Sequence, residues 1–291
     1  MTNLIRIASA QLSAAINPLG AELTHLSDAA GRELMTDADP AFWPRHAPML
    51  FPVVGRPYRD TIRVDGVAYP MGQHGFARDH AFAVTDAAAD RVVFTLRDDA
   101  ETRVHYPFAF ELEVTYRVEA ATLSVEVVVR NPADVPLPAS FGFHPAFAWP
   151  LPYGRARADH RIVFAADEAP DLRVIAADGT IAEGTRHFPL DDRTLALADD
   201  LFAHDALVWD PVASSAVTYG ASDGPQLRIA FPDTPSLGVW TKPGAAFVCV
   251  EPWHGIADPD GYTGEFRDKP GVFAVAPGGE KVTRMDVTLV A

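Results

Sequence analysis

The chain has 291 residues, with 24 Lys+Arg against 39 Asp+Glu and a formal net charge of -15. Hydrophobic residues make up 48% and charged residues 22%, a balance that supports a packed core and excludes disorder as the main state. The acidic surplus argues against nucleic acid, whose binding needs clustered basic residues. No run nears the roughly 20 apolar residues of a spanning helix, and the single cysteine, Cys249, excludes an intramolecular disulfide.

From the N-terminus, period-two alternation predicts strands over residues 4–8, 12–17 and 22–26, then a turn at Ala30-Gly31 before 33–35. Runs 61–64 and 67–69 flank Asp65-Gly66, a pair whose accessible positive φ angles suit a type I′ hairpin. Residues 81–85 pair with 91–96, and 110–118 and 122–129 alternate cleanly around 119–121 and are expected to be the two longest strands. Later strands are predicted at 161–165, 207–209, 216–219, 227–231, 237–241, 247–251, 272–275 and 281–290. Helical periodicity is confined to one-turn candidates at 40–43 and 199–204. With 25 Pro and 20 Gly between short strands, the chain reads as all-β, a large antiparallel β-sandwich or barrel forming one domain over residues 1–291. The opening segment lacks a basic region followed by an apolar run, so a cytoplasmic protein is expected.

Gly220-Ala221-Ser222-Asp223-Gly224 matches the G-x-S-x-G nucleophile elbow, but Pro225 and the alternating 226–231 make it a hairpin turn rather than a strand-to-helix elbow. Dinucleotide, phosphate-loop and HExxH or CxxC metal motifs are missing from the sequence. Three other segments set a titratable side chain among Gly, Pro and aromatic residues.

In Met71-Gly-Gln-His74-Gly-Phe-Ala-Arg78, Gly72 and Gly75 clear the space beside His74, as a backbone that admits a ligand requires; a surface loop with an incidental histidine reads equally well. In Ser140-Phe-Gly-Phe-His144-Pro, the strand period puts Phe141 and Phe143 on one face and Gly142 and His144 on the other. His144 is then either a cleft group or a core histidine satisfied by a carbonyl. In Phe247-Val-Cys-Val-Glu251-Pro-Trp253, Glu251 ends an apolar strand on the face of Phe247 and Cys249, where desolvation raises a carboxyl toward the range of a working base. A structural ion pair with an arginine is the alternative.

These segments, His74-Gly-Phe-Ala-Arg78, Phe141-Gly-Phe-His144-Pro-Ala-Phe147 and Cys249-Val-Glu251-Pro-Trp253 with Gly255, Ala257 and Asp258 behind, stand in the order found in the aldose 1-epimerase family. The chain resembles these galactose mutarotase-like proteins, and among them the LacX-like branch. The resemblance implies a β-supersandwich with a sugar in an open cleft, with no cofactor or metal. It implies Glu251 as general base, His144 as general acid and His74 as the second histidine near the ring oxygen. Arg56, within Phe51-Pro-Val-Val-Gly-Arg56, resembles the family's sugar-binding arginine, and Asp205 its substrate-binding aspartate. Trp253, Phe143 or Phe76 would supply a stacking face for the sugar. The expected activity is interconversion of hexose anomers, with a small-molecule sugar as the partner, neither nucleic acid nor membrane, and a monomer or homodimer as the working form. Arg56, Arg59 and Arg78 leave a phosphorylated hexose as an alternative substrate. Two rival functions fit the same residues: a non-catalytic sugar sensor, and a metal-dependent isomerase or lyase using His74, His144 and Glu251 as ligands.

Overall fold

A computed structural model describes residues 4–291. Two large antiparallel sheets dominate it. One has nine strands in the order Thr194–Ala196, His160–Phe164, Ala216–Ala221, Gln226–Ala230, Glu280–Val290, Thr122–Arg130, Glu111–Glu119, Arg91–Arg97 and Ala83–Ala87. The other runs Ile181–His187, Asp171–Ile175, Leu207–Trp209, Ser236–Trp240, Phe247–His254, Phe141–Phe143 and Met49–Leu50, with Ala146–Ala148 also paired to Phe247–His254. The opening strands Ile5–Ala8, Leu12–Asn17 and Glu22–Asp28 form a separate meander, as the alternation predicts.

Alternation explains which face each sheet buries. Leu112, Val114, Tyr116 and Val118 from one strand and Leu123, Val125, Val127 and Val129 from its neighbour enter the core, while Glu111, Glu113 and Arg130 pair at the surface. Phe164 of the first sheet meets Trp209 of the second at 4.8 Å between ring centroids, and the Tyr219 hydroxyl donates to the Ala148 carbonyl at 2.6 Å. The sheets therefore face each other as a sandwich. The strand Phe247–His254 is buried on both faces. Val248 and Val250 join the main core, whereas Phe247 and Cys249 belong to a separate cluster on the opposite side. That second face carries the cleft.

Several local expectations need correction. Residues 40–43 form a turn closed by the Phe42 and Trp43 amides on the Asp39 carbonyl rather than a helix. The α-helix is Ala100–His105, started by an Asp99–Thr102 capping box; its six residues are too few for a helical period to stand out. The longest strand is Glu280–Val290, with 11 residues against nine in each of Glu111–Glu119 and Thr122–Arg130. Asp65 and Gly66 both have positive φ, 49° and 79°, as the type I′ turn demands. Ser222 lies in the hairpin between Ala216–Ala221 and Gln226–Ala230, which leaves no elbow. Among the described residues no helix is long and apolar enough to cross a membrane.

Candidate active site

A cleft of about 280 Å³ opens on the second face of the eight-stranded sheet, and His74, Arg78, His144, Asp205, Glu251 and Trp253 all line it. Six residues singled out in the sequence thus converge from four separate stretches of chain. Arg56 does not. Its guanidinium turns to Asp60, at 2.8 Å, and to the Asp178 carbonyl, at 3.3 Å, leaving the side chain outside the lining.

The strand Phe247–His254 aims Glu251 and Trp253 the same way because they are two residues apart. Glu251 is 2% exposed and His144 7%. The His144 Nε2 lies 3.1 Å from the Glu251 Oε2. Phe141 and Phe143 enter the main core, so the next alternate residue, His144, faces the cleft, as the strand period implies. Burial pushes the Glu251 carboxyl well up, with the Asp205 charge adding to the effect. It pushes the His144 imidazole down to about 3, helped by Arg78 and Arg45. In contact, the two groups hold one proton between them, as acid and neutral imidazole or as carboxylate and imidazolium.

His74 is held in the left-handed region at φ 65°. Its backbone N–H donates to the Gly55 carbonyl at 2.8 Å, and the Gly55 N–H donates to its Nδ1 at 3.2 Å. A ring that accepts at Nδ1 while neutral carries its proton at Nε2. Desolvation, with His144, Arg78 and Arg45, keeps that ring well below the ordinary histidine pKa, so His74 is a neutral hydrogen-bond donor. The rings of His74 and His144 meet edge to face at 5.7 Å. Gly75 does not clear space for a ligand, contrary to expectation: a Cβ there would lie 2.2 Å from the Phe51 carbonyl oxygen, so the missing side chain admits backbone instead.

Trp253 floors the cleft. Its indole lies across two glycines on the neighbouring strands; a Cβ on Gly142 or on Gly238 would each come within 2.6 Å of it. Arg78 donates from Nη2 to the Gln73 carbonyl at 2.7 Å, while its Nε, 3.7 Å from an Asp79 oxygen, is buried without a hydrogen bond. Asp205, at φ 76°, sits at the exposed mouth and accepts from the Ala206 amide at 2.7 Å.

Sequence reasoning missed the rest of the wall. Trp43 and Trp240 line the cleft beside His144. Ile175, Gly179 and Ile181 come from a hairpin that sequence alternation did not reveal. Phe143 and Phe76, offered as stacking faces, belong instead to the main core. Cys249 completes a buried trio with His144 and Glu251 whose ligand atoms lie within 4.8 Å of one another; burial and the Glu251 charge push its thiol well up.

The profile of the family described as aldose 1-epimerase matches residues 3–263. Protein LacX, chromosomal, of Lactococcus lactis subsp. lactis is 29% identical over 301 residues, spanning 98% of this chain and 99% of the relative. Among solved structures, a galactose mutarotase related enzyme from Lactobacillus acidophilus superposes with a TM-score of 0.92 at 31% identity, over 99% of this chain and 98% of that one. A galactose mutarotase-like protein from Lactobacillus casei ATCC 334 gives the same TM-score and identity over 99% of this chain and all of its own, 100%.

Proposed function

The chain belongs to the aldose 1-epimerase family, and from that premise we propose that it interconverts the α and β anomers of a hexose by acid–base ring opening and closure. The 3.1 Å contact between His144 and Glu251 at the buried end of the cleft carries this reading. Both oxygens that exchange protons in the reaction, the anomeric hydroxyl and the ring oxygen, are bonded to the same carbon. A base and an acid serving them must therefore converge within a few ångströms, as these two do.

At rest the buried pair keeps its proton on Glu251, and the working form is reached when that proton crosses the 3.1 Å contact, leaving Glu251 the carboxylate and His144 the imidazolium. Glu251 takes the proton from the anomeric O–H, the C1–O5 bond breaks, and His144 delivers its proton to O5. Rotation about C1–C2 presents the other carbonyl face. Closure returns the proton from Glu251 to the new anomeric oxygen and the O5 proton to His144, so the enzyme ends as it began. His74 donates its Nε2 proton in a hydrogen bond to the ring oxygen, Arg78 and Asp205 orient hydroxyls, and Trp253 offers an apolar face to the ring. Such proton transfers contribute about 10²–10⁴-fold when the groups are positioned.

An uncharged hexose suits the cleft better than its phosphate. Arg78 is the one lining cation among the described residues; it is tied to the Gln73 carbonyl, and Asp205 shares the lining with it. The buried trio of His144, Cys249 and Glu251 supports a second reading, a metal-dependent isomerase or lyase, with Cys249 as the third ligand where His74 was expected.

Polarimetry of freshly dissolved α-glucose, α-galactose and α-glucose 6-phosphate, with and without chelator-treated protein and with buffer catalysis subtracted, tests the proposal. Acceleration of a free hexose is the expected result. Binding without acceleration identifies a sugar sensor instead, and activity that returns only with added metal identifies the second reading.

A further inference from the structure

We propose that Trp43 is a positioning residue for His144, its indole face holding the imidazole in line with Glu251. The inference rests on the reading of His144 as the acid. Indole and imidazole stack with ring centroids 4.8 Å apart and planes at 24°. Trp240 braces this stack from the side, meeting Trp43 edge-on at 5.7 Å and His144 at 6.1 Å. Phe247 closes on Trp43 at 5.6 Å.

A stacking plate must itself be fixed, and Trp43 stands on irregular chain. Four ties fix that segment. The Phe42 and Trp43 amides donate to the Asp39 carbonyl, each at 2.9 Å. One Glu22 oxygen accepts from the His46 and Ala47 amides at 2.7 and 3.0 Å. Arg45 pairs with Asp79 at 2.7 Å, and the Lys242 ammonium donates to the Phe42 carbonyl at 3.3 Å.

The surroundings explain why such a plate is needed. Nε2 of His144 lies 3.1 Å from the Glu251 carboxyl, but its Nδ1 is buried without a hydrogen-bond partner among the described residues. One polar contact leaves an imidazole free to turn about it, and the flat indole face removes that freedom.

The test uses the full chain with ¹⁵N-labelled histidine. The His144 ring-proton resonances, assigned by their loss in His144→Gln, report the stack directly, because an indole face shifts protons held over it upfield. In Trp43→Leu that shift should be lost and the resonances should broaden or split as the ring samples other rotamers, and Trp43→Phe, which keeps a π face, should recover a single ring position. Circular dichroism of each variant establishes that it is folded. A wild-type ring without that shift, or a ring that keeps one sharp position in folded Trp43→Leu, overturns the proposal. In polarimetry, kcat should fall at least about tenfold in Trp43→Leu with KM changed less, because the loss is of alignment, and Trp43→Phe should recover most of it. Absence of wild-type mutarotation would defeat the functional reading alone, since the resonance experiment needs no turnover.

Discussion

At the scale of single residues, Glu251, the proposed base, also has a thermodynamic role. Replacing it with glutamine keeps the shape and removes the proposed base. Turnover should fall at least about 100-fold, with sugar affinity held within several fold because the amide still accepts a hydrogen bond. The same variant reports on stability. Burial raises the Glu251 carboxyl above its ordinary value of 4.5, so the folded chain holds that proton more tightly than the unfolded chain does. Its stabilising contribution is complete below the unfolded value and is lost as pH rises through the raised folded value. Glutamine has no proton to lose. Thermal unfolding of Glu251→Gln should therefore match wild type at acidic pH and exceed it increasingly as pH rises above about 4.5. A gap independent of pH would mean that the His144 contact fully offsets the desolvation of the carboxylate.

At the scale of strands, the cleft depends on what neighbouring strands leave out. Gly142 stands opposite Trp253 in one neighbour, and Gly238 stands opposite Glu251 in the other, and the indole spreads over both. Gly238→Ala would put a methyl group 2.6 Å from the Trp253 ring, an overpacking that typically costs about 1–3 kcal/mol. The cost should largely vanish when Trp253 is also shortened to Ala, a non-additivity that a double-mutant cycle in denaturant measures. A cost that persists in the double variant would place the strain in the backbone instead. These glycines were visible in the sequence, but their partner was not, because pairing across strands fixes it. The same limit governs the elements. Glu111–Glu119 and Thr122–Arg130 were legible because one face is apolar and the other mostly polar or charged. Ile181–His187 was not: most of it is exposed, so no apolar alternation marks it, and with it went Ile175, Gly179 and Ile181 of the cleft wall. His74, His144 and Glu251 were legible through local composition, whereas Trp43 is brought to His144 only by tertiary packing. Arg56 misled because sequence shows the guanidinium but not Asp60, four residues on, waiting to take it.

At the scale of the whole molecule, the net charge of -15 sets a field around a cleft with a single lining guanidinium. A neutral hexose is indifferent to that field, whereas a hexose 6-phosphate must approach against it. Raising ionic strength from about 10 mM to about 150 mM shortens the screening length from about 30 Å to about 8 Å, which lowers the long-range barrier while leaving contacts inside the cleft less affected. The expected result is a kcat/KM for free hexose that is the higher of the two and insensitive to salt, beside a value for the phosphate that rises with salt. Steady-state polarimetry at matched pH measures both. A phosphate sugar that is preferred at low salt and loses its advantage as salt is added would reverse the assignment of substrate class, because local attraction to Arg78 and Arg45 would then outweigh the repulsion of the whole surface.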